Sequence, residues 1–225
     1  MSRPWFTSGL GFFSLIFILL TLGCGADKSK LRILHASPDE GTLDVLIDGK
    51  TVSSNLAYEA STGYLSVGTG SRHVQLQASG STTNVIDQNL TINSGGSTTL
   101  IAANFAASIT PLVLTDDATA PASGEFKLRV VNAAPAMGPV DVYVVPPGTD
   151  LTTVSPAFSN LAFADNSDYL TFPAGNYVVE FTPPGSIFVL LAAGPTNFQG
   201  DQNRTLVALD DPGGGFTSVT LNDRN

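Results

Sequence analysis

The chain has 225 residues, of which 43% are hydrophobic and only 13% are charged. This composition excludes an intrinsically disordered protein, because disordered chains combine low hydrophobicity with high charge. The net charge of −9, with 10 basic against 19 acidic residues and no basic cluster, repels a phosphate backbone and argues against a nucleic-acid partner.

The amino terminus has the pattern of an export signal. Residues 12–22 are apolar and have the length of a signal-peptide hydrophobic region. The run ends at Cys24, and residues 20–24 (LTLGC) resemble the lipobox of bacterial lipoproteins, whose cysteine is lipidated before cleavage on its amino side. We therefore predict a signal peptide over 1–23 and a lipidated polar tether over 24–30.

The predicted anchor on Cys24 consists of a diacylglycerol and an amide-linked acyl chain of the palmitate type, and two or more such groups give stable membrane attachment. Gly25 follows the cysteine in place of the Asp that resembles an inner-membrane retention signal, which favours the outer membrane or the cell surface. An uncleaved membrane-spanning anchor is the alternative, because a spanning helix needs about 20 apolar residues. With one cysteine in the chain, no intrachain disulfide can form.

The rest of the chain is an internal repeat. Residues 31–38 (LRILHASP) align with residues 128–135 (LRVVNAAP) at a shift of 128 − 31 = 97. The same shift pairs Leu43-Asp44-Val45 with Val140-Asp141-Val142. Later matches keep their order at slightly larger shifts: 54–58 with 159–163, Tyr64 with Tyr169, Thr99 with Thr205, and Asp116 with Asp223. An inserted loop accounts for the increase. The sequence therefore predicts two copies of one domain, over 31–122 and 123–225.

Within each copy the apolar residues alternate with polar ones. Leu43, Val45 and Ile47 show this period of two, which is typical of half-buried β-strands, and turn signals such as Asp48-Gly49 recur about every dozen residues. No sustained helical stripe follows the leader. We therefore predict an all-β chain of two immunoglobulin-like antiparallel β-sandwich domains, with a small barrel as the alternative.

The opening of each copy resembles one known family. The run from Leu31 to Asp39 (LRILHASPD), followed by residues 43–49 (LDVLIDG), is similar to the start of the domain of unknown function family DUF4397. The second copy departs from it at Asn132 in place of His35, and at Ala136 in place of Asp39. The resemblance implies tandem domains in an exported bacterial protein and assigns no catalytic residues.

His35 is the residue that invites a catalytic or metal-binding interpretation. The alternative is a polar side chain at a strand end that bonds the backbone of the turn begun by Pro38, a role that Asn132 before Pro135 fills equally well. A hydrolytic enzyme would use His35 with Asp39 or Asp44. The chain has two histidines, no strand-to-helix glycine loop and no nucleophile turn, so we predict no catalytic set, metal or cofactor.

Asp44 and Asp141 recur at equivalent positions, opposite the apolar face. A shared structural hydrogen bond accounts for them, and a calcium ligand is the sharper hypothesis. The acidic pairs 116–117 and 210–211 near the domain ends would add ligands in a calcium-stabilised adhesion module. We expect a non-enzymatic, membrane-anchored envelope protein that serves as a structural module or binds an unidentified protein or carbohydrate.

Overall fold

The computed structural model describes residues 1–2 and 28–224. The apolar part of the predicted leader and Cys24 lie outside the described residues. In the described part, no helix is long and apolar enough to cross a membrane.

The first half of the described chain forms eight strands and one short 3₁₀ turn. The strands are β1 (Ser29–Ala36), β2 (Leu43–Ile47), β3 (Lys50–Leu56), β4 (Leu65–Val67), β5 (Gly70–Ala78), β6 (Asn84–Ile92), β7 (Ser97–Ala103) and β8 (Thr110–Asp116), with the 3₁₀ turn at Ala106–Ser108. They build two four-stranded sheets, β4-β1-β7-β8 and β3-β2-β5-β6.

The second half repeats this order of strands. Its elements are β9 (Glu125–Asn132), β10 (Val140–Val145), β11 (Phe158–Leu161), β12 (Leu170–Pro173), β13 (Gly175–Thr182), β14 (Leu191–Phe198), β15 (Asn203–Asp210) and β16 (Phe216–Arg224), with a 3₁₀ turn at Leu151–Thr153. The sheets are β12-β9-β15-β16 and β11-β10-β13-β14. The prediction of an all-β chain with two β-sandwiches is confirmed.

One feature of the sheets differs from the antiparallel expectation. Strands β1 and β7 pair in parallel, with Arg32 opposite Thr99, and β9 and β15 pair in parallel, with Arg129 opposite Thr205. All eight residues of β15 are buried. Parallel strands are found where both faces of a sheet are covered, so a second layer must lie on the outside of each of these sheets.

The second layer is the other sandwich. Sheet β4-β1-β7-β8 packs against sheet β12-β9-β15-β16, and we call these the inner sheets and their contact the seam. Leu31 and Ile33 of β1 lie in the core of the first sandwich, whereas Leu34 and Ala36 lie in the apolar cluster of the seam. The buried members of that cluster are Leu34, Ala36, Ile101, Ala103, Leu112, Leu114, Val131, Ala133, Val207, Leu209 and Leu221.

In the outer sheet of the first sandwich, strand β2 shows the simple alternation that the sequence predicts. Strand β2 buries Leu43, Val45 and Ile47 and leaves the residues between them half-exposed. Asp48 and Gly49, with φ of 51° and 73°, link β2 to β3. Positive φ at both central residues is the backbone of a type I′ hairpin turn, which Asp-Gly sequences favour.

The two sandwiches lie side by side, with equivalent strands running in the same direction. We call the end that carries Ser29 and Glu125, the first residues of β1 and β9, the base, and the opposite end the top. The loops after β1 and β9 meet at the top, where Pro38 and Ala136 line one cleft. The start of β1, the linker between the sandwiches and the end of β16 are all at the base.

The seam predicts that the two sandwiches unfold together. Replacing Leu34, which is fully buried in the seam, with alanine should lower the free energy of unfolding by about 2–5 kcal/mol. Val113→Ala on β8 is the matched control, because Val113 is 48% exposed and its loss should cost less than about 0.5 kcal/mol. Urea unfolding followed by circular dichroism measures both. Two separate transitions in the wild-type protein would contradict a shared seam.

Candidate functional site

At the base of the seam, Arg32 of the first sandwich binds the second. Its Nη2 atom lies 2.5 Å from Oδ1 of Asp223 in β16, and its Nη1 donates to the carbonyl oxygen of Asn222 at 3.0 Å. Nη2 also donates to the hydroxyl of Thr99 on the neighbouring strand at 2.8 Å. The side chains of Arg32 and Asp223 are 3% and 0% exposed, so this ion pair is buried.

Arg129 of the second sandwich makes the reciprocal contacts. Its Nη2 lies 2.5 Å from Oδ1 of Asp116 in β8, and its Nη1 donates to the carbonyl oxygen of Thr115 at 2.9 Å. Its Nε donates to the hydroxyl of Thr205 at 3.0 Å. The two arginines therefore cross the seam in opposite directions, as in a contact between two identical subunits related by a two-fold axis.

A tyrosine covers each guanidinium group. The ring of Tyr64 lies 4.4 Å from the guanidinium carbon of Arg32, and the ring of Tyr169 lies 4.7 Å from that of Arg129. The Tyr64 hydroxyl donates to Asp116 at 2.7 Å, and the Tyr169 hydroxyl donates to Asp223 at 2.9 Å. Burial, together with the neighbouring carboxylates, raises the pKa of both tyrosines, so both stay protonated as donors.

Each aspartate thus joins both sandwiches. Asp116 accepts hydrogen bonds from Tyr64 and Thr99 of its own sandwich and from Arg129 of the other. Asp223 likewise accepts hydrogen bonds from Tyr169 and Thr205 of its own sandwich and from Arg32 of the other. We call these eight residues the seam cluster: Arg32, Tyr64, Thr99, Asp116, Arg129, Tyr169, Thr205 and Asp223. All four charges are paired and hydrogen-bonded, as buried charges must be. The cluster holds the sandwiches together and leaves no free acid or base.

His35 lies at the end of β1, fully buried. Its Nε2 is 2.7 Å from the carbonyl oxygen of Gly41, and its Nδ1 accepts from the backbone N–H of Ser37 at 3.3 Å. The neutral imidazole with its proton on Nε2 satisfies both contacts. Burial lowers the pKa of His35 below its ordinary value of 6.5, opposed by the bond to Gly41.

Asn132 makes the same pair of contacts in the second sandwich. Its Nδ2 donates to the carbonyl oxygen of Gly138 at 2.8 Å, and its Oδ1 accepts from the N–H of Ala134 at 3.2 Å. These partners stand six and two residues further along the chain, as Gly41 and Ser37 do from His35. Pro38 and Pro135 stand in the turns that these side chains brace. A protonatable ring is therefore not required for the arrangement.

Asp44 and Asp141 also have matching partners. Asp44 Oδ1 accepts from the N–H of Asn55 at 2.8 Å, and Asp141 Oδ1 accepts from the N–H of Asn160 at the same distance. Both asparagines have a φ of 54°, in the left-handed region. The second bond of Asp44 comes from the Ser79 hydroxyl at 2.7 Å. Each carboxylate thus braces a strained position in the strand beside it.

The structure does not assemble the residues of the hydrolytic hypothesis. His35 bonds to Gly41 and Ser37, Asp44 bonds to Asn55 and Ser79, and Asp39 accepts from the N–H of Ala106 at 2.7 Å. These bonds turn the three side chains towards different backbone groups.

The calcium hypothesis has no assembled ligand set either. Within residues 28–224, no group of three or more His, Cys, Asp or Glu side chains is placed to hold a metal ion. Asp116 belongs to the seam cluster at the base, whereas Asp210 and Asp211 lie at the top, on the turn between β15 and β16.

A cleft of about 350 Å³ opens at the top of the seam, and we call it the seam cleft. Its lining residues are Pro38, Asp39 and Phe105 from the first sandwich, and Ala136, Asp210, Asp211, Pro212, Gly214 and Gly215 from the second. The volume is within the range of small-ligand sites. No pattern in the sequence indicated it, because its walls come from four loops that meet only when the seam forms.

The top also carries an exposed apolar turn. Ile187 and Phe188, between β13 and β14, are 55% and 69% exposed. The equivalent turn of the first sandwich, at residues 80–83, is made of glycine, serine and threonine. Because the same fold forms a polar turn there, the apolar residues of the second turn are not needed for folding, and exposed apolar surface of this kind marks interaction sites.

Comparison with known proteins identifies a family and no close relative. The family model described as "Domain of unknown function (DUF4397)" matches residues 29–143. No curated protein matches the chain at a significant level.

Two solved structures are distantly similar to the chain. The Bacillus anthracis TIE protein is 9% identical, with a TM-score of 0.26, and the match covers 81% of this chain and 34% of that protein. A leucine-rich repeat protein from Bacteroides thetaiotaomicron is 13% identical, with a TM-score of 0.19, and the match covers 88% of this chain and 25% of that one. The chain thus spans about a third or less of the length of either protein.

The seam cluster predicts a large effect of removing one charge. Arg129→Ala leaves the carboxylate of Asp116 buried without its main partner and should lower the free energy of unfolding by about 3–5 kcal/mol. The matched control is Lys127→Ala, two residues away. It breaks the ion pair of Lys127 with Asp117, in which the two side chains are 17% and 30% exposed. This loss should lower the free energy of unfolding by less than about 1 kcal/mol. Equal losses in urea unfolding would contradict the assignment.

His35 predicts a pH dependence that asparagine removes. Because its pKa is lower in the folded than in the unfolded protein, the stability that the neutral ring contributes is complete above about pH 6.5 and is lost as the pH falls below it. His35→Asn should keep the fold, as Asn132 does in the other sandwich, and should flatten this loss. His35→Leu should destabilise the protein at every pH, because Gly41 loses its donor. Thermal melting of the three proteins from pH 7.5 to pH 5 measures this, and parallel curves for wild type and His35→Asn would contradict it.

Proposed function

The chain belongs to the DUF4397 family, and we propose that it is a non-enzymatic, lipid-anchored protein of the bacterial cell envelope in which two copies of the family domain form one binding unit. The observation that carries this proposal is the seam cluster. It fuses two sandwiches of equal topology through reciprocal buried ion pairs, while the groups that invited a catalytic interpretation are engaged in bracing turns.

The second sandwich supports the part of the proposal that concerns duplication. It has the same order of strands in both sheets and the same parallel pair at its centre. It repeats the strand-end contacts of His35 at Asn132, and those of Asp44 at Asp141. Two unrelated sandwiches would not share hydrogen bonds at equivalent residues.

The position of the chain ends supports a display role. The predicted tether of 24–30 runs into β1, which begins at Ser29 at the base. The five residues 24–28 before the strand span at most about 18 Å when extended. An eight-residue strand adds roughly 26 Å between base and top. A lipid on Cys24 would therefore hold the base near the bilayer and direct the top, with the seam cleft and the exposed turn, away from it.

Lipid attachment is tested by expressing the full chain in bacteria fed a labelled palmitate analogue. The wild-type protein should appear in the membrane fraction as a labelled chain that begins at Cys24. Cys24→Ala should be unlabelled and keep its leader, since the acceptor of the lipid is gone. Mass spectrometry of the amino-terminal peptide reads both outcomes.

Thr21→Leu is the matched control, because it changes the same segment, keeps Cys24 and restores the commoner residue at that position of the lipobox. It should be processed at least as well as the wild type. An intact leader in wild type and Cys24→Ala alike would mean a membrane-spanning anchor, and the lipid-anchor proposal would be wrong.

A further inference from the structure

The seam cleft contains a buried carboxylate with an unused oxygen. Asp210 is 6% exposed. Its Oδ2 lies 3.3 Å from the backbone nitrogen of Ala136, another residue of the cleft wall. Its Oδ1 has no hydrogen-bond partner within residues 28–224. An unpaired buried carboxylate oxygen disfavours folding, and a hydrogen-bond donor brought into the cleft by a ligand would offset that cost.

The surroundings of Asp210 favour a positive charge. Asp39 and Asp211 line the same cleft, and no basic residue does. Asp39 and Asp211 accept one backbone N–H each, from Ala106 and Gly213 respectively, as Asp210 does from Ala136. Asp39 and Asp211 are exposed, so Asp210 is the buried carboxylate of the three. Burial raises the pKa of Asp210, and a bound cation would lower it again.

The remaining walls favour an organic cation over a metal ion. Phe105 is 42% exposed at the cleft, and the other walls are prolines, glycines and one alanine. An aromatic face and apolar walls fit the methylene stem and the charged head of a long basic side chain. A metal ion requires several oxygen ligands at once, and no set of three such side chains is assembled within the described residues.

The two sandwiches differ at this cleft, although they agree in the seam cluster. Thr99 and Thr205 are equivalent in the repeat at a shift of 205 − 99 = 106. At this shift Asn104 is equivalent to Asp210, and Phe105 is equivalent to Asp211. At the shift of 97 that relates the starts of the two halves, Asp39 is equivalent to Ala136. One sandwich therefore supplies the aromatic ring and the other supplies the free carboxylate, so that neither could form the cleft alone.

We propose that the seam cleft binds the ammonium or guanidinium group of a lysine or arginine side chain that a partner protein inserts between the two sandwiches. This deepens the proposed binding function by naming its site and the chemistry of its ligand. The exposed apolar turn at Ile187 and Phe188, at the same end of the molecule, adds a surface suited to a polypeptide rather than to a free ion.

The test measures binding of model side chains to the purified full chain in zwitterionic nanodiscs, by saturation-transfer difference NMR. The probes are the N-acetyl, N′-methylamide derivatives of lysine, arginine and norleucine, of which norleucine has a similar stem without the charge. The lysine and arginine probes should bind at least about tenfold more tightly than norleucine, as one charge-assisted hydrogen bond provides. Equal binding of the three probes would overturn the proposal.

Two variants locate the site. Asp210→Asn should reduce lysine binding to the norleucine level, while its amide oxygen can still accept from Ala136. The matched control is Asp201→Asn, which removes the same charge from a turn at the base, where the φ of 65° suits asparagine. Equal losses in the two variants would overturn the proposal. Phe105→Ala, at an exposed position, should weaken binding without removing a charge, and it decides the question if Asp210→Asn does not fold.

Two competitors identify other ligands. Displacement of the lysine probe by calcium chloride at equal concentration would overturn the proposal in favour of a metal site. Tighter binding of spermidine than of both amino-acid probes would overturn it in favour of a small polyamine. Since binding is measured on the purified protein, a negative result is separate from the outcome at Cys24, and either can fail without the other.

Discussion

Two buried arginine–aspartate pairs determine how the two sandwiches of this structure pack against each other. A guanidinium or carboxylate group at the seam loses its water, and that loss is tolerated only if each charge meets its partner across the seam. Arg32 needs Asp223 and Arg129 needs Asp116, so both partners fix the register in which the inner sheets pack. The apolar middle of the seam and the cleft at its top follow from that register.

The sequence predicted strand β2 of an outer sheet well and the inner strands less completely, for one physical reason. Strand β2 has water on one face, so its apolar residues alternate and the period of two is visible. Strand β15 is buried on both faces, so its sequence (NRTLVALD) shows no alternation. Its parallel pairing with β9 is consistent with that burial, because parallel strands are found where both faces of a sheet are covered. Periodicity reports which faces are covered, but it cannot say that the cover is the other half of the same chain.

The candidate site divides in the same way. The repeat alignment brought Arg32, Tyr64, Thr99 and Asp116 into correspondence with four identical residues of the second copy. It could not reveal that each arginine bonds to the aspartate of the other copy, because an alignment compares positions and holds no information on contacts. The sequence marks Asp210 only as part of the acidic pair 210–211. Its unpaired oxygen is a property of the folded loops, and no local sequence signal carries it.

The reciprocal seam has a consequence for one domain of this kind taken alone. One such domain carries both halves of the seam contact: an arginine that donates to the aspartate of a second domain, and an aspartate that accepts from the arginine of that domain. Its tyrosine and threonine donate to its own aspartate. Two identical chains can therefore pair through a true two-fold axis, each aspartate closing on the arginine of the other chain. Joining the copies in one chain makes that association intramolecular and independent of concentration. The two sandwiches of one chain can also differ in sequence, which two identical chains cannot. The top of the seam can therefore become asymmetric while the base stays symmetric.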